Sequence, residues 1–338
     1  MNVIPKALKH VAAIPYYVQR HAMMVGCVIG QTTLRKLTKR QLDPDPSIII
    51  EAYERYVDLL KNDIENAASG YYPWSHLFKT PLTSPKLIAK MLVDLPFVFN
   101  RAQKHNFFDI PYRIDLSEYP SYYKRNFHWQ TDGYFSKRSA QLYDVGVEFL
   151  FMGAADAMRR QVIPYATMYT KQNSRILDIG CGNGKFLHQL ASTHPKVKFT
   201  GIDLSSHYID YAKKKYSLSN VHFDVGNAER LPYEDSSFDS IISIYLFHEL
   251  PKEARKNVYN EMLRVLKPGG VLVIEDSEQY STAPKLSALL EKFSDDFHEP
   301  FHAHYLKEPI EDALRETGFN VVGTVSAFVA KVVIARRQ

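Results

Sequence analysis

From Lys171 onward, short apolar runs alternate with helical stretches, and this alternation constrains the fold more than any other feature. The apolar runs read RILDI, KFTGID, VHFDV, FDSIISIY, GVLVIED, NVVGTV and FVAKVVIA, and the helical stretches are Lys185–Thr193, Ser205–Tyr216, Lys252–Leu266 and Ile310–Thr317. Strands that alternate with helices form a parallel sheet with helices on both faces. The last two runs are nearly adjacent, which predicts a final antiparallel hairpin. The sequence therefore predicts an α/β fold with a seven-stranded sheet.

The chain before Lys171 lacks this alternation and is predicted to be mostly helical. IIIEAYERYVDLLKNDIENAASG has apolar residues at helical spacing and predicts an amphipathic helix that ends at Gly70. SPKLIAKMLVDLPFVFNRAQKHN predicts a second helix, interrupted at Pro96 because proline removes a helical hydrogen bond. The segment from Phe107 to Tyr134 is rich in aromatic residues and has no clear period.

These changes in pattern predict three regions. Residues 1–125 form a helical N-terminal extension, residues 126–141 a lid or linker, and residues 142–338 the α/β domain. A chain of 338 residues is long enough for more than one domain.

A glycine-rich loop follows the first predicted strand, in the stretch RILDIGCGNGKF. Loops of this kind bind nucleotides or related cofactors, and three patterns compete here. The phosphate-binding P-loop requires glycine and a hydroxyl residue where this chain has Ile179 and Phe186, so that pattern is excluded. The dinucleotide pattern G-x-G-x-x-G requires glycine where this chain has Lys185, which weakens it.

The third pattern, D-x-G-x-G-x-G, is met in full by Asp178, Gly180, Gly182 and Gly184. Three further motifs follow in order: an acidic residue at a strand end in FTGIDLS, the stretch NAERLPYEDSSFD, and RVLKPGG before a buried strand. Together they resemble the class I S-adenosylmethionine-dependent methyltransferases, in particular the small-molecule branch that includes quinone, tocopherol and sterol methyltransferases. This resemblance covers about Leu142–Gln338 and implies a Rossmann-like methyltransferase sheet with S-adenosylmethionine as its cofactor.

The resemblance also implies which residues bind the cofactor. Glycines in the loop let the backbone approach the amino-acid tail closely, and the acidic Asp203 accepts hydrogen bonds from the ribose hydroxyls. Asn227 stands where the family usually has Asp, and its amide is still able to bond the adenine amino group. The implied cofactor-binding residues are Asp178, Gly180, Cys181, Gly182, Gly184, Asp203, Leu204, Asn227, Ala228, Ile244, Tyr245 and Tyr143.

Candidates on the acceptor side cluster around histidines and aromatic residues. His248, in IYLFHELP after the fourth predicted strand, is the predicted polar group or base facing the acceptor; the alternative is a helix-capping histidine. Tyr134 and His128 in the predicted lid and His302 in DFHEPFHAHY are the other predicted acceptor-binding residues, and a packed aromatic cluster is the alternative for the lid. No metal is predicted, because methyl transfer from a sulfonium needs none.

The net charge of +5 is concentrated at the N-terminal end. The first 40 residues hold seven Lys or Arg and no Asp or Glu. This segment allows two interpretations, a peripheral contact with an anionic membrane or a helix packed on the protein. Nucleic-acid binding is disfavoured because the rest of the chain is nearly neutral. Two cysteines and no framework of disulfides predict a reducing, cytoplasmic location, with the peripheral membrane contact left open.

The sequence therefore predicts in-line methyl transfer from S-adenosylmethionine to a small, partly apolar acceptor. Two alternatives stay open, a catalytically silent methyltransferase-like binding protein and an NAD-type Rossmann oxidoreductase.

Overall fold

The computed structural model describes residues 6–38 and 45–338. Residues 1–5, 39 and 40 of the basic segment therefore lie outside the described residues. The helices are α1 (Lys6–Thr38), α2 (Pro46–Ala68), α3 (Ser75–Phe78), α4 (Pro85–Lys104), α5 (Lys137–Leu150), α6 (Ala155–Arg160), α7 (Ile163–Thr167), α8 (Lys185–Thr193), α9 (Ser206–Lys215), α10 (Lys252–Val265), α11 (Ser287–Asp296), α12 (His302–Tyr305) and α13 (Ile310–Thr317).

Seven strands form one sheet in the described part of the chain: β1 (Arg175–Ile179), β2 (Lys198–Asp203), β3 (Val221–Val225), β4 (Phe238–Ile244), β5 (Leu266–Ser277), β6 (Phe319–Ala327) and β7 (Ala330–Arg337). Their order is β3-β2-β1-β4-β5-β7-β6. The first five are parallel, and β7 pairs antiparallel with both β5 and β6. This arrangement confirms the predicted α/β sheet, its C-terminal hairpin and the helical region before it.

The strand order reverses direction between β1 and β4, and this places the candidate site. Strand β1 lies between β2 and β4, with Asp178 opposite Gly201 on one side and Ile242 on the other. Ligands of open parallel sheets bind at the carboxyl ends of the strands where the order reverses. The loops after β1, β2 and β4 meet at that crevice.

The N-terminal helices share a hydrophobic core with the sheet. Tyr16 of α1 and Leu60 of α2 belong to the same buried cluster as Ile176 of β1 and Val332 of β7. The boundaries at residues 125 and 141 stay predictions.

A buried ion pair fixes α1 and α2 to α6. Arg160 donates from Nε and Nη2 to the two carboxylate oxygens of Asp63, at 2.8 and 2.6 Å. The hydroxyls of Tyr16 and Tyr72 also donate to this carboxylate, at 2.5 and 2.7 Å. Both charged side chains have no exposed surface. Such a pair stabilises the fold only while every partner is present, because either charge alone would be buried without compensation.

Helix α4 differs from the prediction, because it continues through Pro96 without an interruption. Proline has no N–H, so Pro96 cannot donate a helical hydrogen bond to the carbonyl of Leu92, four residues earlier. Leu92 and Pro96 are both exposed, so water is able to hydrate that carbonyl. None of the helices among the described residues has the length and apolar character needed to cross a membrane.

We predict that Asp63→Asn strongly destabilises the protein, because the Arg160 guanidinium would remain buried without its counter-charge. The expected loss is about 3 to 5 kcal/mol of unfolding free energy, measured by urea denaturation followed by circular dichroism. Asp58→Asn is the matched control on the same helix, since Asp58 pairs with Lys61 at the exposed surface, and it should cost less than about 1 kcal/mol. Equal losses for the two variants would contradict the role given to the buried pair.

Candidate active site

The glycine loop after β1 adopts a backbone that favours glycine at three positions. Gly180, Gly182 and Gly184 have φ values of 74°, 55° and 78°. A Cβ atom on Gly184 would lie 2.7 Å from the Cβ of Ala212 and 2.8 Å from the Phe223 ring, so this glycine is needed for packing. A Cβ on Gly182 would meet no atom of the described structure within 4 Å. Gly182 therefore leaves an open cradle against the cleft.

Asp203 closes the loop from the end of β2. Its Oδ2 accepts from the Gly182 N–H at 2.9 Å, and its Oδ1 accepts from the Ser205 N–H at 2.8 Å. Burial raises the pKa of this carboxyl to about 6, while the two N–H donors oppose the shift. The carboxylate is thus held in one orientation at the rim of the glycine loop.

Asp178 and Cys181 lie behind the loop. Burial and the neighbouring Asp203 raise the pKa of Asp178 to about 7, and its side chain is almost fully buried. The Sγ of Cys181 lies against Gly201 of β2, so this side chain packs on the sheet. Both residues therefore support the loop from the side of the core.

Lys185 ties the loop to the helices before it. Its Nζ donates to Asp156 of α6 at 2.6 Å. Arg159 pairs with the same Asp156 and with Asp144 of α5, and Asn183 donates to Asp144 at 2.8 Å. The lysine that resembled a phosphate ligand in the sequence is part of a buried ion-pair network.

The three loops line a cleft that is partly open to solvent. Most of the residues predicted to bind the cofactor line it: Tyr143, Gly180, Gly182, Asp203, Leu204, Asn227, Ala228, Ile244 and Tyr245. Tyr134, predicted on the acceptor side, lines it as well. The remaining lining side chains were not singled out in the sequence: Tyr122, Tyr123, Phe127, Ile202, Tyr208, Leu246, Glu249 and Leu250.

A second, larger cavity lies beside this cleft. Its walls come from α1, α4 and α5, from residues 128–130 and from the end of α11. They are mainly apolar, with Leu34, Met91, Leu95, Val98, Phe99, Leu142, Val147, Phe149, Leu150 and Phe297 among the lining residues. Tyr143 lines both the cleft and the cavity, so the two spaces share a wall.

Comparisons with known proteins agree with this geometry. A family model described as a methyltransferase domain matches residues 170–318. The chain is 34% identical to the O-methyltransferase resE of Aspergillus sclerotiorum over 175 residues, 50% of this chain and 62% of that protein. It is 30% identical to the O-methyltransferase rstn1 of Aspergillus nomiae over 205 residues, 56% of this chain and 88% of that protein.

The chain belongs to the methyltransferase family.

A shorter similarity links this methyltransferase to a fatty-acid O-methyltransferase of Mycolicibacterium smegmatis, 31% identical over 115 residues, 34% of this chain and 41% of that protein. The chain thus spans less than two thirds of resE and of the fatty-acid enzyme. The family assignment confirms the predicted class I methyltransferase and its cofactor, S-adenosylmethionine. The residues present fit that group, because Gly182 leaves an open cradle beside the oriented carboxylate of Asp203.

His248 of the methyltransferase lies at the end of β4, buried against β5. Its Nδ1 pairs with Asp276 at 2.6 Å, and the other oxygen of Asp276 accepts from the Phe247 N–H at 2.7 Å. Burial opposes a charge on this ring, but Asp276 outweighs it and raises the pKa of His248 to about 9. A ring that holds its proton at neutral pH suits a hydrogen-bond donor that orders the loop.

His302 lies behind His248, with ring centroids 5.9 Å apart. Its two ring nitrogens are within 2.6 Å of Ser294 Oγ and 2.9 Å of Ser277 Oγ. Burial lowers the pKa of His302 to about 3, so this ring is neutral. The structure places it between α11 and the end of β5.

His128 lines the apolar cavity and contacts Glu249 in the cleft. Sequence reasoning missed Glu249, although it follows His248 directly in IYLFHELP. It also missed Tyr122, Tyr123 and Phe127, for which the aromatic density between Phe107 and Tyr134 was the available signal.

We predict that Gly182→Ala blocks S-adenosylmethionine binding because the added methyl group projects into the cleft. Calorimetric titration should show at least a tenfold weaker affinity, whereas wild-type protein binds S-adenosylmethionine and gives no heat with NAD. Gly269→Ala is the matched control, since Gly269 has a φ of 75° and open space around it, outside the cleft. Both variants carry a similar backbone strain of about 1 to 2 kcal/mol. Wild-type affinity in Gly182→Ala, or binding of NAD alone, would contradict this site.

Proposed function

We propose that this methyltransferase transfers a methyl group from S-adenosylmethionine to an oxygen of a small acceptor whose apolar part occupies the second cavity. The observation that carries the proposal is the wall shared at Tyr143, because it brings a mainly apolar cavity next to the glycine-loop cleft. The O-methyltransferases resE and rstn1, to which the chain is similar, support oxygen as the accepting atom.

In this proposal, different residues of the cleft bind different parts of the cofactor. Gly180 and Gly182 admit the amino-acid tail, Asp203 accepts from the ribose hydroxyls, and Asn227 with Ala228 contacts the adenine. Leu204, Ile244, Tyr245 and Tyr143 line the rest, while Asp178, Cys181 and Gly184 hold the loop from behind. When bound, S-adenosylmethionine supplies a methyl group on a positively charged sulfur.

The aromatic side chains around Tyr134 have two physical roles. The ring centroid of Tyr134 lies 5.6 Å from that of Phe127 and 5.5 Å from that of Tyr208. Packed rings exclude water from the cleft, and their faces attract a cation. Displacement at a methyl group requires mainly this exclusion of water and an aligned acceptor.

The second cavity sets the character of the acceptor. Its walls are mainly hydrocarbon, so an acceptor with an extended apolar portion gains about 25 cal/mol for each Å² that it buries there. The fatty-acid O-methyltransferase to which the chain is similar is named for an acceptor of this kind. We infer that the reacting oxygen lies at the Tyr143 end and the apolar portion extends between α4 and α5.

We predict that Gly146→Leu reduces methyl transfer to long-chain acceptors without affecting S-adenosylmethionine binding. Gly146 lines the cavity on α5, and a Cβ there would meet no described atom within 4 Å, so leucine fills acceptor space. With radiolabelled S-adenosylmethionine, the KM for 4-dodecylphenol or palmitate should rise at least tenfold.

Gly26→Leu is the matched control for this change. Gly26 lies on α1 with equally open surroundings, and it is exposed outside the cavity. An unchanged KM in Gly146→Leu would place the acceptor elsewhere. S-adenosylmethionine binding without transfer to any molecule in a lipid extract would favour the catalytically silent alternative.

We also propose that α1 contacts an anionic membrane surface from which an apolar acceptor enters. One face of α1 carries five exposed apolar side chains, Ile14, Val18, Val25, Val28 and Ile29. Each residue of an α-helix is rotated by about 100° from the one before, and on this basis the five side chains fall within about one third of the helix circumference. The exposed Tyr53 of α2 extends this face through its contact with His21. Among the basic residues of α1 whose side chains are described, Lys36 is exposed, whereas Arg20 is buried and Arg35 pairs with Asp296. The proposal therefore rests mainly on the apolar face, since such a face is what an interfacial helix inserts into a membrane surface.

We predict that the double variant Val18→Glu, Ile29→Glu loses sedimentation with vesicles of phosphatidylcholine and phosphatidylserine. Two apolar contacts are removed and two like charges are placed against anionic lipid, so the bound fraction should fall at least tenfold. Val322→Glu is the control, because Val322 is equally exposed but lies on β6. Point variants are preferable to deletion of residues 1–40, since Tyr16 and Arg20 belong to the buried structure. Sedimentation of the double variant at the wild-type level would contradict the membrane contact.

A further inference from the structure

A chain of four polar side chains runs from the cleft into the protein interior. The Tyr134 hydroxyl donates to Glu249 Oε1 at 2.5 Å. His128 Nε2 lies 3.2 Å from the same oxygen, and His128 Nδ1 lies 2.7 Å from Glu299 Oε1. The Glu299 side chain has no exposed surface. One imidazole ring therefore bridges two carboxylates that come from distant parts of the sequence.

Two carboxylates beside the ring favour an imidazolium. Nε2 of His128 is hydrogen-bonded to Glu249, and Nδ1 lies 2.7 Å from Glu299 as an ion pair without hydrogen-bond geometry. A positive ring is attracted by the carboxylates on both sides, whereas a neutral ring is not. Burial disfavours the charged ring, but Glu299 and Glu249 outweigh it and raise the pKa of His128 to about 10. The nearby His298 experiences the opposite effect, because burial, Arg125 and the positive His128 lower its pKa to about 4.

The chain lies where the two spaces meet. Glu249 and Tyr134 line the cleft, and His128 lines the apolar cavity. The contact between His128 and Glu249 therefore crosses the boundary between the proposed cofactor and acceptor sites. An acceptor oxygen that lies in the cleft next to His128 would therefore be close to Glu249.

The local backbone also carries strain. His128 and Trp129 have φ values of 53° and 57°, in the left-handed region that non-glycine residues rarely adopt. Each such residue costs about 1 to 3 kcal/mol and persists only where surrounding contacts impose it. Arg101 Nε donates to the Trp129 carbonyl at 3.0 Å, and Trp129 Nε1 donates to the Asp296 carbonyl at 2.8 Å. These contacts hold the His128 ring between the two carboxylates.

The same groups are close enough to hold a metal ion, since ligand atoms of His128, Glu249 and Glu299 lie within 4.8 Å of one another. An imidazolium has no free lone pair for a metal. A carboxylate within 3.2 Å of each ring nitrogen favours the protonated ring at this position.

We propose that Glu249 is the catalytic base that takes the proton from the acceptor oxygen, and that His128 and Glu299 are positioning residues that keep its carboxylate ionised and oriented. The proposal rests on the proposed methyl transfer to oxygen. The acceptor O–H bond breaks, its proton moves to the free oxygen of Glu249, and the electron pair left on oxygen forms the new O–CH₃ bond. The methyl–sulfur bond breaks with its electron pair remaining on sulfur. Glu249 ends as a neutral acid and later releases the proton to solvent.

The first test follows His128 in the full-length protein, without an acceptor. Nitrogen-15 NMR of labelled histidine should show His128 protonated on both nitrogens up to pH 8 in the wild type. In Glu249→Gln or Glu299→Gln the titration midpoint should fall by at least one pH unit, because one carboxylate partner is lost. Glu253→Gln, an exposed position in the first turn of α10, should leave the midpoint unchanged. A neutral His128 at pH 7 in the wild type would overturn the proposal.

The second test measures transfer from radiolabelled S-adenosylmethionine to 4-dodecylphenol and palmitate. Glu249→Gln should still bind S-adenosylmethionine by calorimetry, lower kcat for the phenol at least 100-fold, and lose the dependence of kcat on pH that the wild type shows. His128→Gln should lower kcat less than Glu249→Gln does, since Glu249 would lose its cationic partner but keep its carboxylate. Wild-type kcat in Glu249→Gln would overturn the proposal. If the wild type binds S-adenosylmethionine but methylates neither probe, the proposed acceptor class fails, and the His128 titration alone decides this proposal.

Discussion

The buried charges between the N-terminal helices and the glycine loop are the interaction on which the rest of the structure depends. Asp63 and Arg160 fix α1 and α2 to α6. One helical turn away, Asp156 and Arg159 connect α6 to Lys185 of the glycine loop and to Asp144 of α5. A buried ion pair that loses one partner costs several kcal/mol. These ion pairs therefore fix the helices that line the apolar cavity relative to the glycine loop that lines the cleft.

This coupling explains why the sequence predicted the sheet more completely than the acceptor side. The strand-helix alternation and the glycines of the loop follow from local backbone geometry, which a short window of sequence contains. The loop from Asp178 to Gly184 and the strand-end Asp203 could be named for that reason, and the fold and family are confirmed. The apolar cavity instead needs α1, α4, α5 and α11 to meet. Its walls carry no motif, because any well-placed hydrocarbon side chains line such a space equally well.

His248 and Glu249, which are neighbours in the chain, also show what a local sequence pattern does not predict. Both lie in a 3₁₀ turn, Phe247–Glu249, where neighbouring side chains point about 120° apart. His248 turns inward to Asp276, and Glu249 turns to the cleft. The sequence singled out His248 after β4 and missed Glu249, because the direction of each side chain depends on the turn that the loop adopts. His128, which contacts Glu249, lies 121 residues away from it in the chain. Glu299, which contacts His128, lies 50 residues from Glu249, and no local pattern could connect the three.

The imidazolium of His128 between Glu249 and Glu299 allows a charged base in a cleft that excludes water. A cleft that excludes water disfavours any net charge, yet a base must be ionised before it accepts a proton. Glu299, His128 and Glu249 together carry one negative charge, which matches the single positive charge on the methyl-bearing sulfur. When the methyl group reaches oxygen and the proton reaches Glu249, both charges disappear together. The charges of Glu299, His128, Glu249 and the sulfur add up to zero before and after the proposed step. These groups therefore leave no net charge for the protein to stabilise, and the dipoles around them need only keep their positions.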